Sequence, residues 1–353
     1  MQKTQINEFL FVFFTKLKRM DVQNTDKQLL KALKNKCNKN ISFIDEVASV
    51  LDINYDAAYR RVNCKIKISL DDAIKLSKHF NVSLIELYNY DEQDKFIISK
   101  TKEINTAEDL KNYFNRLSKN LSLLKDHKNS SVLYCAKDLP IYYTLKNNLL
   151  SKFKLYVWLY ILNNNSENKY ISFEKFTIPS SLLIASQNAG KAYNNIKITE
   201  IWNYGIINSI VNQISYFYET KLLNYTNAMR ICDDLMETIN KIEKEVHLGQ
   251  RSDSSRTTFN LYHNELLLLN NNVLLKTKDQ KTLISPYSLL RYYLIEDQKT
   301  CDKFETFMNE QIGFSKLISE TSIKETMLFF KPKKDRIIKL KDRIELIRQF
   351  PLK

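Results

Sequence analysis

Apolar side chains recur at helical spacing in five short segments between residues 25 and 88. Each segment follows a side chain that can accept hydrogen bonds from the free N–H groups at the start of a helix. These capping residues are Thr25, Ser42, Asn54, Ser69 and Ser83. The second and third segments are separated by "DIN", residues 52–54. The pattern therefore predicts five helices, two of them joined by a tight turn, which is the arrangement of a helix-turn-helix domain.

The pattern becomes mixed after this region. Residues 91–105 carry charges without an amphipathic period and predict a linker. A long amphipathic helix begins near Thr106, and its apolar stripe indicates either a core face or a dimerisation face. The segments "SVLYCA" and "ELLLLNNNVLLKTKDQKTLIS" have the composition of strands, and the second predicts a small antiparallel meander.

The predicted fold class is mainly α. A five-helix N-terminal helix-turn-helix domain, residues 20–90, is followed by a linker and by a mostly helical α+β domain with a small antiparallel β meander, residues 106–353. Residues 1–19 form an N-terminal extension, unless translation begins at Met20. The domain at residues 106–353 would serve dimerisation or sensing.

Composition narrows the range of functions. The chain has 54 Lys and Arg residues against 40 Asp and Glu residues, and its formal net charge of +14 favours a polyanionic partner such as nucleic acid. Five cysteines and four histidines are scattered, so neither a disulfide framework nor a zinc site is predicted, and a reducing cytosol fits best. The four glycines never cluster, which excludes a P-loop or dinucleotide-binding loop. We therefore expect no metal and no cofactor.

A short apolar run near the N-terminus raises the question of a membrane. The run "FLFVFF", residues 9–14, is too short to span a bilayer and short for a secretion signal. We therefore expect a cytoplasmic protein that does not bind a membrane.

The third predicted helix, in "NYDAAYRRVNCK", carries no apolar excess. Ala58 and Val62 share its inward side, whereas Asp56, Arg60 and Arg61 point outward. A helix-turn-helix places the outward side chains of its second helix in the major groove while the preceding helix crosses the phosphate backbone. The composition of this helix is explained if one side of it faces DNA.

These segments resemble the phage-repressor or XRE-type (lambda-repressor-like) helix-turn-helix family. The stretch "VASVLDIN" is similar to the family's helix and turn, "NCK" stands where its N-G-K loop would be, and "SLDDAIKLSKHFNVSLIELY" is similar to its last two helices. The resemblance covers residues 26–88, and Asp52, Cys64 and Asn81 stand where the family has glycines. The later stretches "CAKDLPIYYTLKNNLLSKFKLYVW" and "FNLYHNELLLLNNNVLL" look like the C-terminal part of uncharacterised bacterial regulators, which implies no mechanism.

The resemblance implies which residues would meet DNA. They are Asn54, Tyr55, Asp56, Arg60, Arg61, Lys65 and Lys67. Either arginine can read a guanine through two parallel hydrogen bonds, and the loop lysines would contact phosphates. Asp56 would orient an arginine. The alternative is that both arginines are merely solvated, or that Arg60 pairs with Asp56 one turn earlier.

The expected function is that of a sequence-specific DNA-binding transcription regulator, not an enzyme. It would bind double-stranded DNA as a homodimer, with an unknown effector or protein partner at its C-terminal domain. The alternative is an antitoxin or immunity-type regulator whose C-terminal domain binds a protein partner. A third interpretation, an enzyme with a DNA-binding appendix, predicts clustered acidic, His or Cys side chains around a metal in the C-terminal domain.

Overall fold

The computed structural model describes residues 22–37, 42–84, 87, 98–125, 130–162, 171–251, 257–266, 270–278 and 280–350. The chain separates into two compact units, residues 1–97 and 98–353. Each unit has its own hydrophobic core. The N-terminal extension expected at residues 1–19 lies outside the described residues.

The first unit is helical in its described part. Its helices are α1 (Val22–Lys36), α2 (Phe43–Leu51), α3 (Tyr55–Val62) and α4 (Leu70–His79). Two predicted caps are confirmed: the side-chain oxygen of Asn54 accepts a 2.8 Å hydrogen bond from the N–H of Ala57, and the hydroxyl of Ser69 accepts one of 3.1 Å from the N–H of Asp72. Ser42 precedes α2 without making such a bond. The local capping signals therefore locate the starts of α3 and α4 correctly.

The predicted five-helix domain is not matched, because four complete helices lie within the described residues of this unit. The expected fifth helix, at residues 83–88, lies partly outside the described residues. Of its described residues, Leu84 and Leu87 are helical, and the N–H of Leu87 bonds to the carbonyl of Ser83 at 3.0 Å. The small core of the unit comprises Leu29, Leu33, Val47, Leu51, Ala58, Leu76 and Phe80.

The second unit is built on an eight-stranded sheet. Its strands are β1 (Ser99–Lys100), β2 (Ser131–Ala136), β3 (Ile198–Trp202), β4 (Phe259–His263), β5 (Asn272–Lys276), β6 (Lys281–Ser288), β7 (Arg291–Ile295) and β8 (Lys316–Leu317). They lie in the order β1-β7-β6-β5-β2-β3-β4-β8. The pairs β2–β3 and β3–β4 are parallel, and the other neighbouring pairs are antiparallel.

This sheet overturns the predicted fold class. The strands β5, β6 and β7 do form an antiparallel run, but they are one side of a large mixed sheet, so the chain is an α+β protein and not a mainly α protein with a small meander. Parallel strands are joined by long helical crossovers, so their pairing leaves no local trace in the sequence. The strand β3 also carries a glutamate, Glu200, in its middle, which breaks the apolar run expected of a buried strand.

Helices cover both faces of the sheet. They are α5 (Ala107–Lys125), α6 (Leu149–Leu162), α7 (Ser180–Tyr193), α8 (Asn208–Glu219), α9 (Tyr225–Leu248), α10 (Gln298–Gly313) and α11 (Ile323–Gln349), and a short 3-10 helix spans Ile141–Thr144. The helices α6, α8, α9 and α11 share one core with β2, β3 and β4, and α10 packs on the opposite face. No helix in the described part of the chain is long and apolar enough to cross a membrane.

Residues 98–105, which the sequence assigns to a linker, are part of the second unit. The strand β1 pairs with β7, and the N–H of Thr101 bonds to the carbonyl of Tyr292 at 3.0 Å. The side chain of Ile104 is fully buried. The apolar stripe of α5 is also a core face, since Leu110 and Phe114 are fully buried within this unit.

A network of charged and polar groups lies inside the core of the second unit. The guanidinium of Arg251 lies 3.3 Å from Glu200 on β3 and 3.1 Å from Glu245 on α9, and all three side chains are buried. Three further donors bond to the carboxylate of Glu200 at 2.8, 2.7 and 2.7 Å: Tyr143, Tyr193 and Trp202. Burial raises the pKa of Glu200, and the charge of Arg251 opposes that rise. The network therefore satisfies a carboxylate that would be costly to bury alone.

Candidate nucleic-acid interface

The helices α2 and α3 form a compact pair because the chain reverses within residues 52–54. The N–H of Ile53 bonds to the carbonyl of Ala48 at 3.1 Å and ends α2. On the inner side of the pair, Val47 of α2 and Ala58 of α3 are fully buried. The short turn and the small Ala58 side chain let the two helices pack closely and fix the direction in which α3 leaves the turn.

Three residues in the turns of the first unit adopt a left-handed backbone. Asp52, Cys64 and Asn81 have φ angles of 55°, 55° and 53°. Glycine adopts this conformation without steric cost, whereas an ordinary side chain is disfavoured by roughly 1–2 kcal/mol. These are the three positions at which the resembled family has glycine. The turns therefore follow the backbone path that a glycine would favour, although the residues themselves are not glycines.

Replacing Cys64 with glycine is expected to stabilise the first unit by about 1 kcal/mol, because the left-handed backbone at this position is relieved of its side chain. Hydrogen exchange followed by mass spectrometry measures the effect locally, and amide exchange in α3 and α4 should slow about fivefold. The control is Cys64→Ala, which also removes the thiol but keeps a Cβ. Equal exchange rates in the two variants would show that the backbone conformation is not the cause.

The outer face of α3 consists of Tyr55, Asp56, Tyr59, Arg60 and Asn63, all of which are exposed. The rings of Tyr55 and Tyr59 stack at a centroid distance of 6.5 Å, although 50% and 41% of the two residues remain exposed. The resemblance implies a DNA contact for Tyr55 and names none for Tyr59. The structure exposes both, and their spacing of four residues was the signal that they stack. Aromatic and hydrogen-bonding groups thus cover the whole outward side.

The two adjacent arginines have different surroundings. Arg60 is exposed, and no ion pair joins it to Asp56 among the described residues. The guanidinium of Arg61 instead pairs with Asp72 of α4 at 3.0 Å, and 22% of its side chain is exposed. Arg61 therefore joins α3 to α4, which leaves Arg60 as the arginine available on the outer face.

The loop after α3 carries the two lysines that the resemblance implies. The N–H of Lys65 bonds to the carbonyl of Arg60 at 2.7 Å, and the left-handed Cys64 directs the chain back past the end of α3. The ammonium of Lys65 lies 5.4 Å from the centre of the Tyr59 ring, within the range of a cation–π contact. Lys67 is exposed two residues further on. Both lysines thus extend the polar surface that begins on α3.

A separate polar cluster braces the first unit. Glu46 of α2 accepts a hydrogen bond from the thiol of Cys37 and contacts the imidazole of His79, both at 2.9 Å. The thiol contact and the histidine lower the pKa of Glu46, and the same carboxylate raises the pKa of Cys37. Because these contacts link α2 to the end of α1 and to α4, they hold the helix that precedes α3 in place.

Within the described ranges, no group of three or more His, Cys, Asp or Glu side chains is placed to hold a metal ion. Comparison of the chain with protein-family models found no match, and comparisons with curated proteins and with solved structures found none either.

Proposed function

We propose that this chain is a sequence-specific DNA-binding transcription regulator of the XRE type, with α3 as the helix that enters the major groove. The observation that carries the proposal is the backbone of the first unit: Asp52, Cys64 and Asn81 are left-handed at the three positions where the resembled family has glycine. Left-handed residues at all three glycine positions support the resemblance more strongly than one short helix pair does, because each turn sets the direction of the helix after it.

The side chains of the outer face of α3 have the chemistry that base reading requires. Arg60 presents a guanidinium fork suited to guanine, and Tyr55 and Tyr59 offer ring edges and hydroxyls to bases or phosphates. Lys65 and Lys67 would neutralise phosphates beside the groove. Asn54 would stay in its role as the cap of α3, with its backbone N–H near the phosphate chain. Arg61 would position α3 through Asp72 without reading a base.

We further propose that the protein acts in the cytoplasm as a homodimer. A single helix of this kind reads only a few base pairs, and two copies reading half-sites about one helical turn apart supply the affinity and specificity of a regulator. The structure describes all five cysteines, and none of them forms a disulfide, which suits a reducing compartment.

Replacing Arg60 with alanine is expected to weaken binding to the preferred site by about 1–3 kcal/mol and to relax the preference at one base pair. Selection from randomised duplexes would first identify that site, and fluorescence anisotropy at several salt concentrations would then measure affinity. Arg230→Ala is the matched control, because Arg230 is an exposed arginine of the second unit. The control should bind like the wild type.

Replacing both Lys65 and Lys67 with alanine should weaken binding to every DNA sequence by a similar factor. The affinity of this double variant should also depend less on salt concentration, because fewer phosphates are neutralised.

Two results would contradict the proposal. One is selection that enriches no motif. The other is equal affinity of wild type, Arg60→Ala and Arg230→Ala for an enriched motif, which would place the DNA-reading surface outside α3.

A further inference from the structure

A cavity of about 310 Å³ lies in the second unit between α5 and one face of the sheet. Ligand pockets in proteins span roughly 300–1,000 Å³, so this cavity is large enough for a small organic molecule. Its walls include Tyr113 and Leu117 of α5 and Ile141 and Tyr142 of the 3-10 helix. All residues that line it belong to the second unit.

The floor of the cavity is a row of side chains from four adjacent strands. Tyr134 of β2, Val273 of β5, Ile284 of β6 and Leu294 of β7 are consecutive register partners, so they lie side by side on one face of the sheet. Three of the four are aliphatic. Apolar side chains next to tyrosine rings favour contact with an aromatic ring of a ligand.

Tyrosine side chains make up much of the cavity lining. They are Tyr113, Tyr134, Tyr142, Tyr193 and Tyr292. Burial raises the pKa of each, so their hydroxyls are protonated at neutral pH and can donate hydrogen bonds. The ring of Tyr142 is held by stacking on Tyr193 with centroids 3.9 Å apart. The aromatic wall is therefore already in place before a ligand binds, which lowers the entropic cost of binding.

The rim of the cavity is positively charged. Lys102 and Arg116 line it and are exposed, whereas Lys100 is the register partner of Tyr293, so its side chain lies on the sheet face opposite to Leu294. The described residues that line the cavity include no Asp or Glu. An apolar interior with cations at one edge is complementary to a molecule with an apolar body and a single anionic end.

We propose that this cavity binds a small aromatic monocarboxylate, with its ring against the row from Tyr134 to Leu294 and its carboxylate at Lys102 and Arg116. The site is independent of the proposed DNA-binding function, since all of its residues lie in the second unit.

Calorimetric titration of the full chain with hydrocinnamate and with its neutral amide, hydrocinnamide, tests the proposal. The wild type should bind the carboxylate about tenfold more tightly than the amide, because only the carboxylate attracts the rim. The Lys102→Gln, Arg116→Gln variant should bind both compounds equally. The matched control, Lys119→Gln with Lys125→Gln, removes two exposed cations of α5 that do not line the cavity, and it should keep the wild-type preference.

A second variant locates the site. Ile284→Trp fills the floor of the cavity and should abolish binding of both compounds, with folding checked by far-UV circular dichroism. If Ile284→Trp does not fold, the rim variant and its matched control still decide the question. The proposal is overturned if hydrocinnamate does not bind the wild type at millimolar concentration, if the wild type binds the amide equally well, or if a folded Ile284→Trp variant binds normally.

Discussion

Replacing Arg251 with leucine is expected to lower the free energy of unfolding of the second unit by about 3–5 kcal/mol. Removing one partner of a buried ion pair leaves the other charge without compensation, which costs more than the pair itself contributes. Glu200 is the partner whose charge is left uncompensated, because its side chain is fully buried and Arg251 is the cation next to it. The carboxylate of Glu245 is less affected, because the ammonium of Lys241 on the same helix lies 3.5 Å from it and still compensates its charge.

The loss should also depend on pH. Burial already raises the pKa of Glu200 and Arg251 opposes that rise, so the pKa climbs further when the arginine is absent. The folded variant then binds a proton at pH values where the unfolded chain has released it. Stability of the variant relative to the wild type should therefore fall as pH rises from the ordinary glutamate pKa through the raised one.

Urea unfolding measures both effects. Trp158 and Trp202 are the two tryptophans of the chain, so tryptophan fluorescence reports on the second unit alone. The control is Arg343→Leu, which breaks an exposed pair with Glu219 and should cost less than about 1 kcal/mol. In the Arg251→Leu background, Glu200→Gln should restore part of the stability, because it removes the uncompensated charge. A loss no larger than that of Arg343→Leu, or a second substitution that restores nothing, would contradict this account.

Features set by neighbouring residues could be predicted from the sequence. Asn54 and Ser69 cap their helices as predicted, because a cap bonds to an N–H only three residues away. The strand "SVLYCA" is β2 as predicted, since a short apolar run that includes Val132 and Tyr134 favours an extended backbone through local preferences.

Features that depend on distant residues could not be predicted. The sheet joins β2 to β3 and β3 to β4 across long helical crossovers, and β1 pairs with β7 from almost the other end of the unit. Within the candidate site, helical periodicity predicts that Arg60 and Arg61 both point outward. In the structure, Arg61 instead forms an ion pair with Asp72 on the next helix. Glu200 likewise looks like an exposed residue until Arg251, fifty-one residues later, is placed beside it. Periodicity describes one element and carries no information on which partner an ionic group finds.

Replacing Lys333 with methionine is expected to raise the free energy of unfolding of the second unit by about 1–4 kcal/mol near neutral pH. Lys333 lies inside α11 with 1% of its surface exposed, and burial lowers the pKa of its ammonium group to about 7. Its ammonium donates to the carbonyl of Phe329 at 2.9 Å and lies 3.4 Å from the centre of that ring, which offsets part of the cost of burial. The nearby imidazole of His263 offsets none of it, since its own pKa is lowered by burial and by the charge of Lys333.

The advantage of methionine should shrink as pH rises. Between a folded pKa of about 7 and the ordinary lysine value of 10.5, the unfolded wild type binds more protons than the folded one, so wild-type stability increases with pH in that window. The methionine variant lacks this dependence. Urea unfolding by tryptophan fluorescence near pH 7 and near pH 9 tests the expectation, with the exposed Lys339→Met on the same helix as control. A methionine variant that is less stable than the wild type at both pH values, or whose advantage does not change with pH, would show that the ammonium group of Lys333 is well compensated where it lies.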